Sequence, residues 1–385
     1  MVGKRFLPAI RFMLLLQLLS LRSIAQENYT VESLKKWTQT VESERAPIEI
    51  ISTCKPDKGI VPICGIQDPE DLAVVPSENW ILFREGTLGG GANGIGALRI
   101  SDHQISRIYS PETGSAGKNS WGSKECATPP ATDEFAPLGM DLSVLKSGEL
   151  RLLVVNISRR SSIEFFEIQE SSKKIEAIWR GCVKLPSGIH ANSVATIPAG
   201  GFVVSTMGTV ATGEQRNKDL QQIVEGKPFG KILEWAPEHG WRDLPFGHIS
   251  APNGILVSPD SKTVYFASVG TNEVIRINRH GDPKRTTVLM PKVDNLRWTK
   301  DGKILAASLR GSTFSLFRDC ANLKSGACGQ EFAVVEIDPE TLAWKELIRN
   351  QGSPIGLVTA AVKIGDRLYM GTAMGDRIAY IDLKR

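Results

Sequence analysis

Glu70, Asn192, Asn253 and Asp294 each stand immediately before a short apolar run, and each side chain ends in a carboxylate or carboxamide oxygen. The runs they precede cover residues 71–76, 193–198, 254–259 and 295–300; two further runs, 141–146 and 360–365, follow Met140 and Thr359. Oxygen donors of this kind, with Asn295 adjoining the last of them, suit Ca²⁺, which takes six to eight oxygens, whereas Zn²⁺ selects His and Cys. Two carboxylates also balance the charge of a divalent cation. Taken singly, each residue is an ordinary turn former, because Asn and Asp hydrogen-bond to nearby backbone. Their shared register is what points to a metal. The predicted ligands are Glu70, Asn192, Asn253, Asp294 and Asn295, and the ion is calcium or another divalent cation.

Residues so far apart meet only if the chain repeats. Each of the six runs is followed by a second apolar run, at 80–83, 152–155, 202–204, 264–267, 304–307 and 368–371, so the recurring unit contains a hairpin. Successive units start 41 to 70 residues apart, which fits one four-stranded propeller blade per copy with loops of unequal length. The prediction is an all-β, six-bladed β-propeller, in which equivalent positions of successive blades surround one central channel. Residues 27–45 are polar with Val31, Leu34, Trp37 and Val41 at helical spacing, and predict a short N-terminal helix on the propeller rim. The domain plan is a signal peptide over 1–25, a helical extension over 26–46 and the propeller over 47–385.

The signal peptide is read from Lys4, Arg5 and Arg11, the apolar stretch 12–21 and the small-x-small pattern Ser23-Ile24-Ala25. About 20 apolar residues are needed to span a bilayer, and neither this stretch nor any later one is long enough. The formal net charge is +4, and residues 1–25 hold four basic side chains and no acidic one, so the remainder is neutral. A neutral chain without a basic stripe gives nucleic-acid binding no electrostatic support. The predicted partner is a small molecule, and the predicted product is a secreted or periplasmic monomer. In an oxidising compartment the six cysteines are expected as disulfides. Cys54 with Cys64 and Cys320 with Cys328 are close enough to clip loops, which leaves Cys126 for Cys182.

Asn28 and Asn156 head glycosylation sequons, although Asn156 follows an apolar run and is expected to be partly buried. The glycine-rich segment 86–96 precedes a strand-like run and not a helix, which argues against phosphate cradling. Segments 110–135 and 210–229 are long polar insertions of the kind that form lids, binding loops or disordered stretches.

The stretch Ala251-Pro-Asn-Gly-Ile-Leu-Val-Ser-Pro-Asp-Ser-Lys-Thr-Val-Tyr-Phe-Ala267, together with Val293-Asp-Asn-Leu-Arg-Trp298, Pro69-Glu-Asp-Leu72 and Asn192-Ser-Val194, resembles the calcium-dependent six-bladed propellers that include paraoxonases and the gluconolactonase/regucalcin group. The resemblance covers most of residues 60–375. It implies a catalytic calcium on the five oxygen donors above and hydrolysis of lactones or esters. It also implies a second, structural calcium in the paraoxonases, for which Asp71 matches one ligand while Ser193 stands where another Asp belongs. The paraoxonase histidine pair is replaced by Leu138 and Ile157, neither of which accepts a proton. The gluconolactonase arrangement, with a metal-bound carboxylate as base, is the nearer pattern and nominates Asp294.

A lactone carbonyl oxygen gains negative charge in its transition state, and an incompletely ligated calcium would stabilise it while a carboxylate takes a proton from water. His190 and His248 lie near the same register and are further candidates for proton transfer, His190 being taken with Asp294 as the predicted catalytic pair; a lone His is more often structural than catalytic. The alternative is a non-catalytic propeller, stabilised by calcium, that binds a small molecule or protein. A metal-free, strictosidine-synthase-like propeller is disfavoured by the acidic and amide ring.

Overall fold

The computed structural model describes residues 29–86, 93–118, 121–207, 213–244, 247–280 and 285–383. The predicted signal peptide and the sequon at Asn28 lie outside the described residues, as does most of the glycine-rich segment; its last residues open the strand Gly94–Arg99.

Six sheets form the six blades, antiparallel except for one parallel edge strand in blade two, and each predicted run is an innermost strand. These strands are Leu72–Val74, Pro137–Val144, Ala191–Thr196, Pro252–Val257, Val293–Trp298 and Val358–Ile364, opening blades one to six. Each predicted second run is the next strand of its blade. The second blade gains a fifth, edge strand, Ser115–Ala116, from the first insertion. Blade six borrows its outermost strand, Val61–Cys64, from the start of the propeller, pairing it antiparallel with Arg377–Asp382. Val, Ile, Leu and Phe side chains from facing sheets fill the space between blades, so the core is a ring of inter-blade clusters. All three disulfides pair as expected: Cys54–Cys64, Cys126–Cys182 and Cys320–Cys328.

Helix α1, Val31–Glu44, starts at a capping box in which Thr30 and Ser33 satisfy each other's backbone N–H groups. Its buried face differs from the predicted apolar stripe. Leu34, Thr38 and Glu42 are buried, while Val31 is 71% exposed. The reason is polar: Thr38 receives a hydrogen bond from Asn272 at 3.2 Å, and Glu42 pairs with the Lys292 ammonium. The second insertion is more ordered than a loop, because Gly213–Val224 forms helix α2. Helix α3, Thr313–Asp319, lies between the second and third strands of blade five. Strand directions alternate, so the connections holding α2 and α3 lie at the end of the propeller where the innermost strands begin. Helix α1 docks there too, on Asn272, Lys292 and Ser312. Asn156 is fully buried and spends its amide on Glu134, Ser162 and Glu164, so its sequon is inaccessible in the fold. No helix among the described residues is long and apolar enough to cross a membrane.

Candidate functional site

The innermost strands of blades two to six each begin with a β-bulge. The register shifts fall between Pro137 and Met140, Ala191 and Ser193, Pro252 and Ile255, Val293 and Leu296, and Val358 and Ala360. A bulge leaves residues unpaired and re-aims their side chains. Asn192, Asn253, Asp294, Asn295 and Thr359 all occupy these unpaired positions. Tight backbone approach holds the blades in place at this level. A Cβ on Gly254 would lie 2.6 Å from the Asp294 carbonyl oxygen and 2.7 Å from Asn295 Cα, and one on Gly139 would lie 2.5 Å from the Asn192 carbonyl oxygen.

The ring joins blades directly. The Asn295 amide donates to Glu70 Oε1 at 2.9 Å, and the Thr359 hydroxyl donates to the Glu70 backbone carbonyl at 2.8 Å. Asn192 Nδ2 lies 2.9 Å from the Met207 sulfur and Asn253 Nδ2 lies 4.0 Å from it. With both amide nitrogens turned toward Met207, the carboxamide oxygens are left over. One buried oxygen on each of Glu70, Asn192, Asn253, Asp294 and Asn295 has no hydrogen-bond partner. An unsatisfied buried polar atom costs about 1–3 kcal/mol, so five on one ring describe a cradle for a group that supplies positive charge. No cluster of three or more His, Cys, Asp or Glu suited to a metal occurs among the described residues. The candidate donors here are mostly Asn.

The electrostatics agree with that chemistry. Neither Glu70 nor Asp294 has an ion pair among the described residues; the Arg84 and Arg297 guanidinium groups act on Glu70 only through their field, and two buried carboxyls suit a divalent cation. Burial, reinforced by the Asp71 carboxylate, pushes Glu70 up to about 7. Burial, then the charges of Glu70 and Asp71, hold Asp294 well above the usual carboxylate range. Both groups therefore bind protons more tightly folded than unfolded, and the stability linked to them is lost as pH rises through the folded values. In chelator, the protein is expected to be most stable at mildly acidic pH and to lose stability between about pH 5 and 8. Denaturant midpoints measured across that range check this; a midpoint rising monotonically with pH would contradict it.

The other sequence candidates separate. His190 sits two residues before Asn192, half-buried, and its Nδ1 is buried without a partner. His248 is exposed, with Nε2 2.7 Å from the Gly226 carbonyl, and so braces the end of α2. Leu138 and Ile157 belong to an apolar cluster between the second and third blades. Asp71 is occupied: it accepts the backbone N–H of Leu72 at 2.9 Å and of Met140 at 2.7 Å, and pairs with the Arg297 guanidinium. Sequence reasoning missed Met207, Arg84 and Arg297. Arg84 is fully buried and donates to the carbonyls of Pro137, Asp68 and Gly86. For Arg297 the sequence offers only its side of the strand, the same as that of Asn295 by alternation, and not its partner Asp71.

The fold is a six-bladed propeller with an acidic and amide ring at the mouth of its channel. Residues 132–319 match the SMP-30/gluconolactonase/LRE-like region, and the chain carries that region within blades two to five. Among solved structures, a gluconolactonase from Xanthomonas campestris is 13% identical, with 88% of this chain and 98% of that chain covered at a TM-score of 0.48. The calcium-binding protein regucalcin from Agrobacterium tumefaciens is 16% identical, covering 88% and 94%, with a TM-score of 0.46. Virginiamycin B lyase from Staphylococcus aureus is 13% identical, covering 84% and 99%, again at 0.46. No curated protein matches the chain.

Proposed function

We propose that this protein is an exported, calcium-dependent hydrolase of lactones or esters. The observation that carries the reading is the ring of five buried, unpartnered oxygens on Glu70, Asn192, Asn253, Asp294 and Asn295. These residues fit calcium in donor type and in charge, and they would hold it. The bound ion would supply electrostatic stabilisation for the charge that develops on a substrate carbonyl oxygen. Asp294 keeps one carboxylate oxygen free of hydrogen bonds and is the group that would take a proton from the attacking water. His190, with its unpartnered Nδ1, is the second group able to receive or pass on that proton. Met207 orients the two carboxamides through their nitrogens and takes no part in proton transfer. Three disulfides suit the oxidising compartment that export implies.

A second reading, a calcium-stabilised propeller that binds a small molecule or protein without turning it over, is favoured by the apolar Leu138 and Ile157 where paraoxonases have histidines. Asn253→Ala separates the two. It removes one ring oxygen and leaves the strand, so the fold is expected to persist while calcium affinity drops by about tenfold or more, the loss of a single hydrogen-bond-scale interaction or slightly more. Lactone turnover should fall in parallel and recover at high calcium. Isothermal titration with calcium, beside turnover over a calcium series, reads both. Unchanged affinity would remove Asn253 from the ring, and turnover independent of calcium would remove the metal from the reaction.

A further inference from the structure

One methionine sulfur stands apart from the others. Of the seven methionines, Met1 and Met13 lie outside the described residues, Met140, Met290 and Met370 are fully buried, and Met374 is 6% exposed. Among the described residues Met207 is the one methionine left half-buried. It follows the second strand of blade three, Phe202–Thr206, at the point where Thr206 pairs with Ala191, and so sits beside the bulge that carries Asn192. Its sulfur accepts from the Asn192 amide at 2.9 Å and lies 4.0 Å from that of Asn253, while the carboxamide oxygens of both residues are buried without a partner. A thioether is a weak acceptor and an easily oxidised group. All six cysteines are in disulfides, so no thiol competes with it for an oxidant.

We propose that Met207 is a site of oxidative modification by peroxides, and that its sulfoxide releases the two ring carboxamides and so lowers the affinity of the ring for a divalent cation. The site rests on the exposure and contacts above, and the consequence rests on the calcium reading. The chemistry is self-contained. A lone pair of the Met207 sulfur takes one oxygen of hydrogen peroxide, the O–O bond breaks, and the departing hydroxide takes the proton of the transferred oxygen and leaves as water. Sulfur is oxidised by two electrons and the peroxide is reduced by two. The product side chain is polar, chiral and larger by one oxygen. Its sulfur is electron-poor and no longer accepts the Asn192 and Asn253 N–H groups, and with Asn192 Nδ2 at 2.9 Å an oxygen added on that side displaces the amide. Met207 is thus a positioning residue, acting on the ion through the two carboxamides.

The test exposes the full chain to hydrogen peroxide, maps oxidised methionines by peptide mass, and titrates calcium by calorimetry before and after. Met207 is expected to gain one oxygen well before Met140, Met290, Met370 and Met374. Calcium affinity should then fall about tenfold, the scale of one lost hydrogen bond, while the thermal midpoint in chelator keeps its untreated value. Methionine sulfoxide reductases acting on the two epimers should restore the affinity. Met207→Leu keeps the volume without the acceptor; it should bind calcium as weakly as the oxidised protein and lose nothing more in peroxide. Oxidation spread evenly over the five methionines would overturn the proposal, as would a Met207 sulfoxide that binds calcium like untreated protein or a peroxide effect that persists in Met207→Leu. Failure of the calcium reading looks different: untreated protein would take up no calcium, the claimed loss of affinity would fall with it, and the mass map would still decide the oxidation site.

Discussion

Asp294→Ala is expected to lower lactone turnover by about 10²–10⁴-fold, the usual contribution of a general base, and to weaken calcium binding in the same protein. Both effects arise because one carboxylate would serve twice. Asp294 lies buried in the bulge that opens blade five, beside Glu70, whose negative charge raises its affinity for a proton. Asp294→Asn separates the roles, since it keeps an oxygen donor while removing the charge and the base. With Asn, calcium should still bind at raised concentration, and turnover should stay low even when the site is saturated. Values of kcat and KM measured at saturating calcium check this. Full activity in either variant would exclude Asp294, and recovery of activity by Asp294→Asn at high calcium would make it a ligand only.

The second large effect concerns stability and the N-terminal helix. Glu42→Gln is expected to destabilise the protein by about 3–5 kcal/mol, because it strands the buried Lys292 ammonium. Glu42 accepts from Ser312 at 2.8 Å and from the Thr313 backbone at 2.8 Å as well as from Lys292, whose ammonium also reaches Gly311 and Thr313. Glu42 and Lys292 are 5% and 6% exposed, so water cannot take over from the lost partner. The Lys292 ammonium further lies 5.5 Å from the centroid of the Trp37 ring. Removing both charges with Glu42→Gln and Lys292→Met should recover part of the loss, the signature of a coupled pair. Denaturant unfolding of the two single variants and the double variant reads the coupling. A loss below about 1 kcal/mol would place the pair in the class of surface ion pairs and remove α1 from the folded unit.

The parts of this molecule that could be read in sequence are those fixed by local pattern. Asn or Asp before an apolar run announced the starts of three innermost strands, and the succession of two apolar runs in each unit gave the hairpins. Cysteines 8 and 10 residues apart allowed loop-closing pairs to be drawn. What stayed hidden depends on partners far along the chain. Val61–Cys64 reads as an ordinary strand, and only closure of the ring assigns it to the last blade. Helix α1 reads as an apolar stripe, yet its inward face carries Thr38 and Glu42, because Asn272 and Lys292 wait on the propeller more than 230 residues away. Arg297 reads as the polar member of a strand until Asp71, 226 residues earlier, is brought beside it. The bulges were equally invisible, and they explain how the neighbours Asp294 and Asn295 both serve one ring where a regular strand would send them to opposite faces.

The most direct test of the central claim is hydrolysis of a panel of aliphatic and aromatic lactones by the purified protein, with calcium present and after chelation. The account predicts turnover that disappears with chelation and returns when calcium is restored. No turnover on any lactone, with calcium still raising the thermal midpoint, would contradict the hydrolase and leave a metal-stabilised binding propeller.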